Sequence, residues 1–249
     1  RQRLRQEKQQ IELETQQERL RSNLLRAISH DLRTPLTSIS GNAGVLMEKS
    51  IVLGEEKKQE LYRAIYDDSM WLVNLTENLL SITRIENGTM RLQMEAQLLD
   101  EVFQEALSHL DRQAAEHRIA VELPDDLLMA RIDVRLIVQV IINIVNNAVK
   151  YTPAGSHILL RAEKQGTMVA VSIADDGPGI PEEAKAHLFD MFYTASQGKS
   201  DNRRGLGLGL SLCRSIVSAH GGDITVSDNH PHGAVFTFTL PLEEVDIHV

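Results

Sequence analysis

The stretch Ile28-Ser29-His30-Asp31-Leu32-Arg33-Thr34-Pro35-Leu36 sets an imidazole beside a carboxylate within what reads as one long helix. A carboxylate that accepts a hydrogen bond from one ring nitrogen fixes the tautomer and leaves the other nitrogen a nucleophile near neutral pH. At about 100° per residue, Leu25, Ile28, Leu32, Leu36, Ile39, Ala43 and Leu46 form one apolar stripe roughly 40° to either side of a line. His30 lies roughly 160° from that stripe, with Thr34 and Thr37 along the same outer face. Most such histidines are plain surface residues. Pro35 tilts the balance, because inside a helix it clashes with the preceding turn and frees the Asp31 carbonyl, a defect of about 3 kcal/mol. A local rule broken beside an exposed His-Asp pair points to function.

Further stretches could hold a nucleotide. Asn143 and Asn147 are four apart on an apolar helix and share a face with Lys150 one turn on. Amide oxygens suit Mg²⁺, which keeps several waters and bridges phosphates. Asp175-Asp176-Gly177-Pro178-Gly179-Ile180 follows a strand, and a carboxylate there can accept a hydrogen bond from an exocyclic amine such as that of adenine. Gly205-Leu206-Gly207-Leu208-Gly209-Leu210 opens a helix whose backbone N–H groups and dipole suit phosphate. The small, polar and charged residues from Thr194 to Arg204 suit a lid over a nucleotide. Each stretch alone also has an ordinary structural explanation.

These groups must be positioned by a chain of 249 residues, which predicts one or two domains. Its 42% hydrophobic and 24% charged content is that of a globular protein, and a net charge of −9 argues against nucleic acid as a main partner. The single cysteine, Cys213, excludes an internal disulfide and reads as a buried helix residue. No run approaches the roughly 18 apolar residues of a membrane span, and no signal peptide opens the chain. The first residue is Arg1, not Met, so an upstream part is expected to be missing.

Residues 1–22, rich in Gln, Glu and Arg, read as a helical stalk with an imperfect coiled-coil repeat. The His30 helix should run to about Lys49, with a turn from Ser50 to Glu56 and a second helix whose seam is Leu61, Ile65, Asp68, Leu72, Leu75, Leu79 and Ile82. Two such helices cannot close a core alone, so residues 23–86 predict an all-α dimerisation hairpin that becomes a four-helix bundle in a homodimer. Asn87-Gly88 ends the helix and a second domain, 87–249, begins. Strands are expected at 90–97, 119–123, 158–162, 168–174, 225–227 and 234–240, and helices at 98–117, 134–151 and 205–219. That pattern predicts an α+β sandwich with helices on one face of a mixed sheet.

In this order the motifs resemble the catalytic region of bacterial sensor histidine kinases, over nearly the whole chain. Ser29 to Leu36 resembles the phosphoacceptor box, Asn143 to Thr152 the N box, Asp175 to Ile180 the G1 box, Phe189 to Phe192 the F box, and Gly205 to Gly209 the G2 box. Gly233 with Phe236-Thr237-Phe238 resembles the closing signature. Residues 22–40 and 188–194 are most similar to the potassium-responsive (Kdp-type) branch. The resemblance implies a GHKL-type ATP-binding domain, ATP and Mg²⁺ as cofactors, and a response-regulator receiver domain as partner. It implies that His30 is the phosphoacceptor, Asp31 its orienting acid or base, and Thr34 the residue that aligns water in reverse phosphatase action. Asn147 would ligate Mg²⁺, Asn143 would stand where related ATPases carry a general-base glutamate, and Lys150 and Tyr151 would lie by the phosphates. Asp175 would read adenine, with Gly177, Gly179, Ile180, Gly205, Leu206, Gly207, Leu208 and Gly209 shaping the pocket and lid hinges. The family's arginine after the F-box aromatic pair is absent, since Phe192-Tyr193 is followed by Thr194, and Arg203 or Arg204 would substitute.

The expected activity is protein-histidine kinase, in a cytoplasmic fragment of a protein that is membrane-associated only through its missing upstream region. A rival from another class is an ATP-gated conformational clamp, which uses the same nucleotide motifs but leaves the exposed His30-Asp31 pair unexplained. His230 and His232 fall short of a four-ligand zinc site and read as a surface turn. Residues 1–86 are expected to dimerise: light scattering at micromolar concentration should give the mass of two chains, and a monomer would sink the bundle.

Overall fold

The computed structural model describes residues 29, 32–48, 53–86, 91–110, 112–124, 126–194 and 207–244. The expected stalk, the His30-Asp31 pair, Leu25, Ile28, residues 50–52, Asn87-Gly88, lid residues 195–204, Gly205 and Leu206 lie outside these. The chain divides into two compact units, residues 1–77 and 78–249, and one helix runs on from the first into the second.

Helix α1 covers residues 32–47 in the first unit, and α2 covers Glu55–Glu86 across the boundary between the units. The α2 helix starts before its apolar seam does. Glu55 and Glu56 in the first turn suit the positive end of the helix dipole, and Lys58–Glu55 and Lys57–Glu60 pairs, each at 2.6 Å, extend the helix on polar residues. Hydrophobic periodicity does not register such a start. Along the expected seam, Leu75 and Ile82 are buried. A second stripe was not foreseen: Tyr62, Tyr66, Met70, Val73 and Leu80 are exposed, Tyr66 by 65% and Leu80 by 54%. On a helix wheel they span roughly 80° and centre roughly 140° from the seam, so α2 carries two apolar faces. On α1, Leu36 belongs to the expected core stripe yet is 53% exposed, while Pro35 is buried.

The second unit is built on a seven-stranded mixed sheet, ordered β1-β3-β7-β5-β4-β2 with β6 also paired to β7. The strands are β1 Glu95–Leu98, β2 Arg118–Glu122, β3 Met129–Ile132, β4 His157–Gln165, β5 Met168–Asp175, β6 Ile224–Asp228 and β7 Ala234–Glu243. Only β2 and β4 run parallel. Helices α3 (Leu99–Ser108), α4 (Val134–Tyr151) and α6 (Gly209–Ala219) complete it, with a short α5 at Glu182–Lys185. The α3 helix is shorter than expected, and a 3-10 turn at Arg112–Glu116 replaces its second half. Strand β3 was not foreseen, being four residues long and split by Arg131.

Cross-strand register builds the core in rows. Ala162, Val171, Phe238 and Ile224 stand side by side, and so do Leu160, Ile173, Phe236 and Val226. The first row is buried throughout, and the helices cover this face. Each large side chain there contributes about 1.5–3 kcal/mol. No helix among the described residues is long and apolar enough to cross a membrane.

Helices α4 and α6 pack antiparallel. At one end of the pair, buried His220 just past α6 meets Asp133, the N-cap of α4, and at the other Gly209 faces Asn143. The Asp133 N–H donates to His220 Nε2 at 3.0 Å, and Nδ1–H donates to the Ile216 carbonyl at 2.8 Å. A backbone N–H only donates and a carbonyl only accepts, so the ring is neutral with its proton on Nδ1. Burial holds the His220 pKa below its usual 6.5. In the unfolded chain the imidazole takes up its proton near 6.5, so the stability it supplies is complete above that pH and lost as pH falls toward the lowered folded value. His220→Ala orphans the Asp133 N–H and should cost about 1–3 kcal/mol at neutral pH. Chemical denaturation should also show a flatter stability profile below pH 6.5 in the variant; a wild-type profile in His220→Ala would overturn this role.

Candidate functional site

Strand β5 places its inward side chains at alternate positions: Val169, Val171, Ile173 and then Asp175. The aspartate therefore enters the layer between sheet and helices, where it is 8% exposed. Its Oδ1 accepts the Gly177 N–H at 2.9 Å and the Ala234 N–H at 3.3 Å, and Oδ2 accepts no hydrogen bond from the described residues. Burial pushes the Asp175 carboxyl up from its usual range, and the two backbone N–H bonds pull it part of the way back.

The turn after β5 is tightly held. A Cβ on Gly177 would stand 2.6 Å from Thr152 Cγ2 and 2.9 Å from Asp175 Oδ1, so only glycine fits at this approach. Thr152 ends α4 and is buried, its hydroxyl 2.7 Å from the Ala148 carbonyl and 3.0 Å from His117 Nε2. From β6–β7, Asn229 Nδ2 donates to the Asp175 carbonyl at 2.8 Å, and His232 Nδ1 donates to the Gly177 carbonyl at 3.3 Å. His232, expected to be part of a plain surface turn, is exposed but also braces this loop. These braces were not legible in the sequence, because their partners are 54 and 55 residues apart.

On α4, Asn143 and Asn147 are both half-buried. The Asn143 Nδ2 atom is buried and finds no hydrogen-bond partner, and Asn147 makes no hydrogen bond among the described residues. Such amides are costly inside a protein unless something satisfies them. Lys150 lies one turn on, its Nζ 5.1 Å from the ring centroid of Tyr151, which is 50% exposed. Asn143 Cγ lies 3.9 Å from where a Cβ on Gly209, the first residue of α6, would stand. Behind it, burial pushes the Cys213 thiol up to about 12, so it stays protonated and inert.

Phe192 and Tyr193 on one side of the expected lid and Gly207 on the other are in contact. Phe192 N–H donates to the Gly207 carbonyl at 3.2 Å. Gly207 has φ +65°, and a Cβ there would overlap the backbone of Tyr193 and Phe192. Phe192 itself has φ +66°, a strained value for an aromatic residue that this contact holds. Leu208 is buried and Ile180 half-buried. Gly179 lies beside the Gly233 carbonyl. Of the remaining expected site residues, Thr34 is exposed on α1, while His30, Asp31, Gly205, Leu206 and the substitute arginines Arg203 and Arg204 lie outside the described residues.

Residues 20–88 match the family described as His Kinase A (phospho-acceptor) domain, and residues 132–244 match that described as Histidine kinase-, DNA gyrase B-, and HSP90-like ATPase. The chain is 44% identical over 238 residues to the sensor protein KdpD of Clostridium acetobutylicum, covering 96% of this chain and 26% of that protein. It is 36% identical over 234 residues to KdpD of Escherichia coli, covering 93% of this chain and 26% of the relative. The chain thus spans about a quarter of the length of these curated relatives. Among solved structures, histidine kinase ThkA in complex with response regulator protein TrrA superposes with a TM-score of 0.68 at 29% identity, covering 89% of this chain and 61% of that one. With a phosphoacceptor domain and an ATPase domain in that order, the chain belongs to the sensor histidine kinases, and KdpD proteins are among the relatives it is similar to.

Proposed function

We propose that this chain transfers the γ-phosphoryl group of ATP to His30 and passes it to an aspartate on a response-regulator receiver domain, acting as a homodimer. The observation that carries this is the buried Asp175 carboxylate, with one oxygen held by two backbone N–H groups, on the sheet face covered by α4, whose buried Asn143 Nδ2 finds no hydrogen-bond partner among the described residues. Asp175 Oδ2 accepts from the exocyclic amine of adenine. Backbone N–H groups opening α6 at Gly207 to Gly209, together with Lys150, bind phosphate. The Asn147 amide oxygen fits Mg²⁺, a hard cation that at this site would neutralise phosphate charge.

The unprotonated ring nitrogen of His30 attacks the γ-phosphorus in line. An N–P bond forms as the bond to the β-phosphate oxygen breaks, and ADP leaves. Asp31 accepts a hydrogen bond from the other ring nitrogen and stabilises the charge it gains. The phosphoramidate then gives its phosphoryl group to the receiver aspartate, and Thr34 aligns water when the chain acts as a phosphatase. Asn143 supplies no base for water, which spares ATP for His30. Support for the receiver comes from the ThkA–TrrA complex. The phosphoacceptor domain and the second exposed face of α2 support the homodimer.

With ATP labelled at the γ-phosphate, wild type should acquire acid-labile, alkali-stable label and His30→Ala none. In the same assay Asn147→Ala should lose both label and Mg-dependent nucleotide binding, while His30→Ala still binds. Label retained in His30→Ala, or equal nucleotide affinity in Asn147→Ala, would overturn the respective assignments.

Because the folded pKa of Asp175 is raised, its stabilising contribution is complete below the unfolded value of 3.8 and is lost as pH rises through the raised value, so the ionised form costs stability at neutral pH. Asp175→Asn keeps an oxygen for Gly177 and Ala234 and removes that charge. Its melting temperature at neutral pH should be no lower than wild type's, while ATP affinity falls about tenfold or more with the lost charge-assisted bond. Unchanged affinity would remove Asp175 as the adenine acceptor.

A further inference from the structure

We propose that His157 is a positioning residue for adenine recognition, anchoring Asp176 and through it the turn that aims the neighbouring Asp175 carboxylate. The inference rests on Asp175 being the acceptor for the adenine amine. The β4–β5 ladder ends at the Ile158–Asp175 pair, so Asp176 has no strand partner. His157 takes the partner's place. Its backbone N–H donates to Asp176 Oδ1 at 2.9 Å, its ring Nδ1 donates to Oδ2 at 3.0 Å, and the Asp176 N–H donates back to the His157 carbonyl at 3.3 Å.

The ring is itself oriented. Arg118 Nη1, on the parallel neighbour strand β2, lies 3.4 Å from His157 Nε2. A guanidinium only donates, so Nε2 accepts and the proton that Asp176 needs stays on Nδ1. Burial pushes the Asp176 carboxyl up, but hydrogen bonds from the His157 ring and backbone, and after them from the Ser156 hydroxyl, outweigh it and hold the carboxyl below its usual range. The His157 side chain is 61% exposed and that of Asp176 34%, so solvent screens the pair and its contribution to stability is small. Direction is what it supplies. Asp175 Oδ1 is tied to the Gly177 N–H, two residues along the same backbone, so a rotation at Asp176 turns Oδ2 away from the base. The phosphate-binding groups on α4 and α6 stand on other elements and are untouched.

The test is equilibrium binding of Mg-ATP and Mg-ITP to the full 249-residue chain. ITP carries an oxo group where ATP carries the amine, so the ratio of the two dissociation constants isolates what Asp175 reads. In His157→Ala and in Asp176→Ala the ratio should shrink about three- to fivefold, the range of one partly exposed pair. ITP affinity should stay unchanged, and the double Ala variant should lose no more than either single one. His157→Asn should restore the ratio, since its side-chain amide N–H can stand near the position of the imidazole Nδ1. Equal loss for both nucleotides, an unchanged ratio, or additive losses overturns the role. A wild type that does not discriminate ATP from ITP removes the Asp175 assignment itself, and the proposal with it. Thermal melting checks that each variant folds; should His157→Ala fail to, Asp176→Ala and His157→Asn decide the matter.

Discussion

Side chains alternate across a strand, and on β5 that alternation carries Val169, Val171, Ile173 and finally Asp175 into one apolar layer. A carboxylate brought there loses water, and the loss is tolerable only because backbone N–H groups from Gly177 and Ala234 converge on one of its oxygens. The other oxygen accepts no hydrogen bond from the described residues. The glycine at 177, the Asn229 bond to the Asp175 carbonyl and the Thr152 methyl against the turn all serve the placement of this one group. Strand register thus sets a buried carboxylate at the end of β5 with one oxygen held by the backbone.

The second constraint is the antiparallel contact of α4 and α6. His220 joins the start of α4 to the end of α6 through two hydrogen bonds that fix its tautomer. With that end pinned, Gly209 at the start of α6 comes opposite Asn143 on α4. A buried neutral histidine so helps determine where α4 and the start of α6 meet. Near the other end of this arrangement, Phe192 and Gly207 adopt left-handed conformations that hold each other in place. The two ends of the segment between them therefore start close together.

The first unit has a different logic. Its long helix α2 carries apolar side chains on two faces, and a single chain leaves Tyr62, Tyr66, Val73 and Leu80 in water. An exposed apolar stripe of this length is what the proposed homodimer would cover.

Much of this protein was legible in its residues. Helix α4 was expected at its observed bounds because its apolar run is long, and the β4–β5 hairpin because Gly166 breaks two alternating runs. The candidate nucleotide residues were proposed for the same local reason: amides four apart share a helix face, and glycines cluster where a backbone can approach a ligand. What the sequence could not reveal were features whose partners are distant along the chain. The second face of α2 hides behind the first, β3 is too short to show a period, and the His220–Asp133 bond spans 87 residues. His157 and His232 gave no signal, because their contacts with Asp176 and Gly177 exist only once the strands are paired. Local periodicity and backbone chemistry thus determined the elements and the chemical groups. Only tertiary packing decided which oxygen of Asp175 stays open, because that depends on N–H groups brought from elsewhere by the sheet.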